Sequence, residues 1–356
     1  MDIRIELTQN PKAKPTDESK LGFGRIFSDH MFLMNYTDGI GWHDPRIVPY
    51  GPFMLDPACM VLHYAQEVFE GMKAYRTADG TIQLFRPYEN ARRFAASCER
   101  LCVPQMDEDM FVEGITKLVE IDQDWVPYSP ETSLYLRPFV FATDEHLGVH
   151  ASKTYQYAVI AAPSGCYYPE GINPVRIYVE SRDVRAVRGG TGYTKCGGNY
   201  AASIRAGQIA EDRGYTQVLW LDGVEQKYIE EVGSMNVMFK INGKIITPAL
   251  TGSVLPGITR MSCLELLRNW GYEVEERLLS AEELFDAAES GALEEAWGTG
   301  TAAVVSPIGE MAWDERSCIV NEGKIGPTVQ KLYDTITGIQ WGKLEDTMDW
   351  ILKVTK

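Results

Sequence analysis

The sequence predicts a protein of the α/β or α+β class, with strands and helices mixed in both halves of the chain and no repeats. Apolar residues recur at helical spacing in four segments, and shorter aliphatic and aromatic runs have the pattern of strands. The chain has 356 residues and is 45% hydrophobic, which is enough for a large buried core. That length favours two domains.

The first half is predicted to contain two amphipathic helices followed by two strands, after a loose lead-in. Residues 11–20 are polar and contain prolines, and they predict the lead-in. The odd positions Tyr135, Arg137 and Phe139 fall on one face of the first predicted strand. The helices are predicted at 89–101 and 107–122, and the strands at 133–142 and 155–163.

A segment rich in glycine, proline and serine, SGCYYPEGINP, predicts the linker between two domains. It spans residues 164–174. The predicted domains are therefore a small N-terminal one at 1–163 and a larger C-terminal one at 175–356.

The second half is predicted to alternate strands and helices. Gly214 and Gly271 follow two of the predicted helices, where glycine commonly ends a helix. Asn242-Gly243 is typical of a two-residue hairpin turn. The strands are predicted at 175–181 and 217–222, the hairpin at 235–247, and the helices at 199–213 and within 255–271.

Charge and composition exclude several classes of partner. The formal net charge of −16 argues against nucleic acid or an anionic membrane as partner. No stretch approaches the roughly 18 uninterrupted apolar residues of a membrane span. The N-terminus lacks an apolar core of signal-peptide length. Seven scattered cysteines without a C-x-x-C pair indicate reduced thiols, so we expect a cytoplasmic protein.

The stretch YTKCGGNYAAS places Lys195 among small residues, where a flat cofactor could approach its ε-nitrogen. A lysine becomes a nucleophile when desolvation or a neighbouring cation lowers its pKa. Two predicted helix starts, at Asn199-Tyr200 and in the segment 255–260, offer backbone N–H groups to an anion. Each of these features by itself also fits a solvated lysine or an ordinary helix start.

Two pairs of adjacent charged residues add candidates. Only one of Arg92 and Arg93 can face inward from a helix, where it could bind a phosphate. Glu230 and Glu231 point to opposite faces of an extended segment, so one is expected to be buried beside a cationic partner. A nucleophilic lysine, anion-binding helix starts and a buried carboxylate are the parts that a pyridoxal phosphate enzyme requires.

No metal site is predicted. His146 and His150 are spaced four apart, but no further ligands cluster with them in the sequence.

Seven short motifs follow one another along the chain. They are FEGMKAY, SLYLRP, GGTGYTKCGGNY, QVLWLDG, EVGSMN, LPGITR and GTGTAA. In this order they are typical of the branched-chain amino acid aminotransferases among the fold type IV pyridoxal phosphate enzymes. The sequence resembles this family from about Phe23 to near Gly342. The resemblance implies an α+β fold in which a small N-terminal domain and a larger C-terminal domain have the cofactor between them.

The resemblance implies a role for each cofactor residue. Lys195 stands in the place of the Schiff-base lysine, which is also the catalytic residue. Glu231 stands in that of the acid beside the pyridine nitrogen, and Arg93 in that of the phosphate-binding arginine. Tyr200 is expected to bond the ring 3-oxygen. The remaining cofactor residues implied are Ser234, Ile258, Thr259 and Thr301.

The resemblance also implies a substrate pocket and a homodimer. Arg137 is expected to take the distal carboxylate of glutamate, since one pocket must accept leucine and glutamate in turn. Leu147 and Val149 are expected to come from a neighbouring subunit. The turn at Thr301-Ala302, with Tyr64, is expected to bind the α-carboxylate. The apolar pocket walls implied are Phe23, Tyr64, Tyr135 and Tyr168. Ala303 to Ser306 replace the C-x-x-C pair of some animal members, so no redox switch of that kind is expected.

The implied activity is ping-pong transfer of an amino group between L-leucine, L-isoleucine or L-valine and 2-oxoglutarate. Three alternatives remain open at this point: a D-amino acid aminotransferase of the same fold, a lyase of the same fold, and a catalytically inactive binding protein. The intact Lys195, Glu231 and Arg93 disfavour the last.

Overall fold

The computed structural model describes residues 1–167 and 172–355. The chain divides into two compact units. The first contains Met1–Cys166, Thr194–Gly197 and Gly338–Lys356, and the second contains Tyr167–Tyr193 and Gly198–Thr337. Tyr168, one of the predicted pocket walls, lies outside the described residues.

The first unit is built on a mixed sheet of nine strands. Their order is β1-β3-β2-β8-β7-β5-β6-β18, with β4 paired to β7. The strands are β1 (Arg4–Ile5), β2 (His30–Thr37), β3 (Gly41–Pro49), β4 (Glu67–Phe69), β5 (Met72–Arg76), β6 (Ile82–Phe85), β7 (Ser133–Ala142), β8 (Thr154–Ser164) and, from the C-terminus of the chain, β18 (Ile351–Lys353).

Three helices belong to the first unit: α1 (Met60–Tyr64), α2 (Pro87–Arg100) and α3 (Glu108–Ile121). Pro87 begins α2 at a position that needs no N–H donor. Asp107 caps α3, because its side chain accepts from the N–H groups of Asp109 and Met110. Their apolar faces join the sheet in one core, which includes Phe94, Phe111 and Tyr157.

The predicted lead-in at residues 11–20 has little regular structure, as expected, but hydrogen bonds attach it to the first unit. Lys12 donates its backbone N–H to Asp29, and Glu18 accepts hydrogen bonds from the backbone of residues 128 and 129. A polar composition hides these contacts because they depend on backbone groups that are distant in the sequence.

The second unit is built on another nine-stranded mixed sheet, in the order β11-β10-β9-β16-β15-β12-β13-β14, with β17 paired to β16. Its strands are β9 (Val175–Glu180), β10 (Gln217–Leu221), β11 (Ile229–Val232), β12 (Asn236–Ile241), β13 (Lys244–Pro248), β14 (Val274–Arg277), β15 (Leu293–Gly300), β16 (Val304–Trp313) and β17 (Arg316–Ile319). The helices after β9 are α4 (Gly197–Asp212), α5 (Ile258–Asn269), α6 (Ala281–Glu289) and α7 (Pro327–Gln340).

The predicted elements are confirmed, with small shifts at their ends. The hairpin turns at Asn242-Gly243, where φ angles of 49° and 76° match the turn that this pair favours. Helix α4 begins at Gly197, two residues before the predicted start at 199, so the glycines of the motif lie in its first turn. No helix in the described ranges is long and apolar enough to cross a membrane.

Candidate active site

Lys195 is fixed to the first unit through its own backbone. Its carbonyl accepts from the Phe69 N–H at 2.9 Å, and its N–H donates to Ser97 Oγ at 3.0 Å. The side chain extends so that Nζ lies 4.9 Å from the centre of the Phe69 ring. The backbone of Lys195 is therefore held at its N–H by α2 and at its carbonyl by the end of β4, and this fixes where the side chain begins.

The surroundings of Lys195 make its amine easier to deprotonate. Burial, and then the nearby Arg93 guanidinium, lower the pKa of Lys195 from 10.5 to about 8. The Glu70 carboxylate and Tyr135 act in the opposite direction. A neutral amine near physiological pH is what a nucleophilic lysine requires.

Arg93, the predicted phosphate ligand, faces inward and is buried, whereas the side chain of Arg92 is 54% exposed and pairs with Glu89 and Glu108. Arg93 Nε and Nη2 bind the two carboxylate oxygens of Glu70 at 2.7 and 2.8 Å. This bidentate geometry fixes the plane of the guanidinium.

Glu70 is a residue that the sequence interpretation missed. It is fully buried, and Asn90 Nδ2 also donates to it at 2.7 Å. Burial alone would raise the pKa of Glu70, but the Arg93 guanidinium holds it below its usual value. The signal available in the sequence was the acid inside FEGMKAY.

Replacing Glu70 with glutamine is expected to lower the free energy of unfolding by about 3 kcal/mol, because it leaves the buried guanidinium of Arg93 without its counter-charge. Urea unfolding of the purified protein measures this change. Glu89→Gln, which removes a more exposed partner of Arg92, is expected to cost less than about 1 kcal/mol. Equal losses in the two variants would contradict the role given to Glu70.

The structure brings together three of the predicted substrate residues. The Phe23 ring meets Tyr135 edge-on at 4.8 Å, and Arg137 Nη2 donates to the Tyr135 hydroxyl at 3.0 Å. Gly71 lies directly under that hydroxyl, and a Cβ at position 71 would overlap it. Tyr64 is the last residue of α1, and 39% of its surface is exposed. Its ring lies against the ring of the preceding residue, His63.

Glu231 lies in the second unit, buried on β11, and it is also held by an arginine. Its carboxylate lies 3.2 Å from Arg185 Nε and accepts from the Leu255 N–H at 2.7 Å. Asn236 Nδ2 is 3.5 Å away. These contacts stabilise the ionised carboxylate. Arg185 and Asn236 were not among the residues predicted from the sequence.

Glu230 is buried beside Glu231 but has a different environment. Its Oε1 accepts from Ser253, and its Oε2 has no hydrogen-bond partner among the described residues. Burial raises the pKa of Glu230. The neighbouring acids therefore differ in their surroundings as well as in direction, and the arginine beside Glu231 favours that residue as the partner of a cation.

An anion-binding arrangement lies at the start of α5. Gly257, the N-cap, has no side chain to satisfy the first N–H groups, which belong to Ile258 and Thr259. A Cβ at Gly257 would overlap Asn236 Oδ1, so glycine is required there. These two N–H groups are of the kind that donates to an anion at a helix start.

The other predicted cofactor residues of the second unit lie on turns or on a helix face. Ser234 is exposed in the turn between β11 and β12, and Tyr200 is partly buried on the first turn of α4. Thr301 and Ala302 form the turn between β15 and β16. The sheet register pairs Asn236 with Thr299, so that turn lies beside the start of β12.

Leu147 and Val149 lie on the loop after β7 and are 61% and 87% exposed. Their neighbours His146 and His150 have ring centres 4.8 Å apart. Within residues 1–167 and 172–355, no group of three or more His, Cys, Asp or Glu side chains could hold a metal ion.

The chain is similar to known proteins over nearly its whole length. Residues 67–311 match the family described as amino-transferase class IV. Branched-chain-amino-acid aminotransferase 2 of Bacillus subtilis (strain 168) is 55% identical over 352 residues, which cover 99% of this chain and 97% of that protein.

Two solved structures share the fold at lower identity. The branched-chain amino acid aminotransferase from Escherichia coli has a TM-score of 0.73 at 27% identity, covering 92% of this chain and 99% of that one. The branched-chain amino acid aminotransferase from Thermobaculum terrenum, in its PLP-form, has a TM-score of 0.75 at 24% identity, covering 91% of this chain and 98% of that one.

Proposed function

The chain belongs to the branched-chain amino acid aminotransferases of class IV, and we propose that Lys195, Glu231 and Arg93 are the residues with which it uses pyridoxal phosphate. The reaction is the reversible transfer of an amino group between L-leucine, L-isoleucine or L-valine and 2-oxoglutarate. It gives branched-chain 2-oxo acids and L-glutamate. The observation that carries the assignment of residues is the amine of Lys195, whose lowered pKa has a physical cause in burial and in Arg93.

The residues of each unit fit the chemistry of this cofactor. When bound, pyridoxal phosphate supplies an aldehyde that exchanges for the amino group and a ring that withdraws electrons. Lys195 Nζ provides the nucleophile and then moves a proton from the substrate Cα. Glu231, whose carboxylate lies 3.2 Å from Arg185, would pair with a protonated ring nitrogen. Arg93 in the first unit, and the N–H groups of Ile258 and Thr259 in the second, are each of a kind that binds phosphate.

The remaining cofactor and substrate assignments are part of the same proposal. Thr301 would donate its hydroxyl to the phosphate, Tyr200 would bond the ring oxygen, and Ser234 would lie near the cofactor. Tyr64 and the Thr301-Ala302 turn bind the α-carboxylate of the substrate. The apolar side-chain pocket has as its walls Phe23, Tyr64, Tyr135 and Tyr168.

Arg137 solves the problem of a pocket that must accept both leucine and glutamate. Its guanidinium stands 4.7 Å from the centre of the Phe69 ring and binds the Tyr135 hydroxyl. In this position the Arg137 guanidinium can bind the distal carboxylate of glutamate. The side chain of leucine can instead pack against the aromatic rings.

A half-reaction spectrum with each amino acid in turn tests the function. L-leucine, L-isoleucine, L-valine and L-glutamate are expected to convert the aldehyde absorbance of the cofactor to that of its amine form. Conversion by D-amino acids instead would identify a D-amino acid aminotransferase. Release of ammonia without donor-dependent formation of glutamate would identify a lyase.

Capture of pyridoxal phosphate by the apoenzyme is expected to accelerate with pH and to level off above about 8. The folded pKa of Lys195 lies below its ordinary 10.5, so the neutral amine predominates above about 8 and falls about tenfold for each pH unit below. Stopped-flow absorbance from pH 6.5 to about 9.5 measures the profile. A rate that still rises tenfold per unit at the upper end would contradict the lowered pKa.

We also propose a homodimer located in the cytoplasm. The exposed Leu147 and Val149 would complete the pocket of a second copy, and the seven free thiols suit a reducing compartment. The linker at 164–174, between domains at 1–163 and 175–356, stays a proposal as well. Analytical ultracentrifugation of the purified enzyme measures the assembly, and a monomer at micromolar concentration would contradict it.

A further inference from the structure

The residues from 8 to 24 form a continuous segment on the first unit that ends just after Phe23, and they are called the strap below. The strap contains little regular structure, only one short 3-10 turn at Glu18–Lys20. Its own side chains bury little apolar surface, apart from Leu21, which is 3% exposed. Its position therefore depends on the polar contacts along it.

The first part of the strap is fastened to the start of β2. The Thr8 N–H donates to His30 Nε2 at 2.9 Å, and the Lys12 N–H donates to Asp29 Oδ1 at 2.8 Å. These two acceptors are themselves fixed, because His30 Nδ1 lies 2.7 Å from Asp122 and Asp29 accepts from the Trp125 indole at 2.9 Å.

Glu18 fastens the middle of the strap. Its carboxylate accepts from the N–H of Tyr128 at 3.0 Å and from that of Ser129 at 2.6 Å. Although burial acts to raise it, these hydrogen bonds hold the pKa of Glu18 below its ordinary value. Bonds from backbone N–H groups to a carboxylate are charge-assisted and directional.

The end of the strap carries Phe23. Gly22 accepts from the Gly165 N–H at 3.0 Å, just after β8. The next residue, Phe23, is 49% exposed and touches Tyr135 edge-on. A half-exposed ring with one edge contact has little packing to hold its position. The position of the Phe23 ring therefore depends on the hydrogen bonds of the strap backbone that precedes it.

We propose that the strap sets the substrate preference of the enzyme by fixing Phe23 over Tyr135, and that Glu18 is the positioning residue. This inference rests on the proposed function, in which Phe23 and Tyr135 are walls of the side-chain pocket. Leucine uses the Phe23 wall, whereas the distal carboxylate of glutamate uses Arg137. Loosening the strap therefore weakens leucine binding selectively.

The test is Glu18→Gln, which keeps the size of the side chain but removes its charge and one of the two oxygens that accept from the N–H groups of residues 128 and 129. The KM for L-leucine is expected to rise about three- to tenfold, with kcat within about twofold and the KM for L-glutamate within about twofold. Trypsin cleavage after Lys12 and Lys20 is expected to accelerate in the same variant. Both measurements use the intact holoenzyme.

Two further variants make the result decisive. Glu113→Gln makes the same chemical change at an exposed acid that binds the Met1 amine at 3.0 Å, ahead of the strap, and neither KM is expected to change. Phe23→Ala is expected to raise the KM for leucine, and Glu18→Gln added to it is expected to have no further effect.

The outcomes separate the strap from the pocket. If Phe23→Ala changes the leucine-to-glutamate preference but Glu18→Gln does not, the strap proposal is wrong and the pocket assignment stands. If Glu18→Gln raises both KM values equally, Glu18 has only a general structural role and the proposal is also wrong. If Phe23→Ala leaves the preference unchanged, the assignment of Phe23 to the pocket fails, and the strap proposal fails with it.

Discussion

Replacing Lys195 with alanine is expected to lower kcat by about 10⁴-fold or more and to remove the absorbance band of lysine-linked cofactor. The physical reason is that the proposed function gives two roles to one atom, Nζ, which would bind the cofactor aldehyde and would move the proton from the substrate Cα. Its lowered pKa of about 8 suits both. Glutamate formation from leucine and 2-oxoglutarate measures the loss.

Lys73 supplies the matched control for this variant. It is buried on β5, and burial lowers its pKa to about 8 as well. Lys73→Met is expected to keep the absorbance band, because Lys73 belongs to a strand of the sheet and not to the segment before α4 that carries Lys195. If Lys195→Ala kept the absorbance band, or a kcat within tenfold of the original, the assignment of Lys195 as the cofactor-binding lysine would be contradicted.

Replacing Glu231 with glutamine is expected to lower kcat by about 10²- to 10³-fold with KM within about threefold. A neutral amide cannot keep the ring nitrogen protonated, so the ring would no longer stabilise the negative charge that develops at Cα. The buried Arg185, whose Nε lies 3.2 Å from the Glu231 carboxylate, favours the ionised form at position 231. Steady-state kinetics and the absorbance of the bound cofactor measure the effect.

The adjacent acid is the natural control. Glu230 faces Ser253 on the other side of the strand, and Glu230→Gln is expected to change kcat by less than about threefold. A larger effect at position 230 than at 231 would show that the two carboxylates have been assigned to the wrong faces.

The sequence predicted the elements that local signals specify. The hairpin at Asn242-Gly243 and the helix that ends before Gly214 depend on residues next to each other in the chain, and both are present. Helix α3 also follows its local pattern, with Asp107 as its cap.

Contacts between distant segments were not predictable in the same way. Strand β18 pairs with β6, and the Ser97 hydroxyl binds the backbone of Lys195 across 98 positions of sequence. No local pattern carries that information. The lead-in looked loose for the same reason, since the partners of Glu18 are backbone groups more than 100 residues away.

The same difference between local signals and distant contacts applies to the candidate site. Motifs gave Lys195, Glu231 and Arg93 as candidates, because the family resemblance implies a position for each. The side chains that tune them, Glu70 and Arg185, emerged only from the structure, where each pairs with one of those residues. Partners of this kind depend on which charges the fold buries together.

The most direct test of the central claim is to locate the lysine that carries the cofactor. Reducing the holoenzyme with borohydride fixes pyridoxal phosphate to its lysine, and peptide mass spectrometry then locates the added mass. We expect it on the peptide that contains Lys195. Finding it on Lys73, whose pKa is lowered to the same value, or on no lysine would contradict the account.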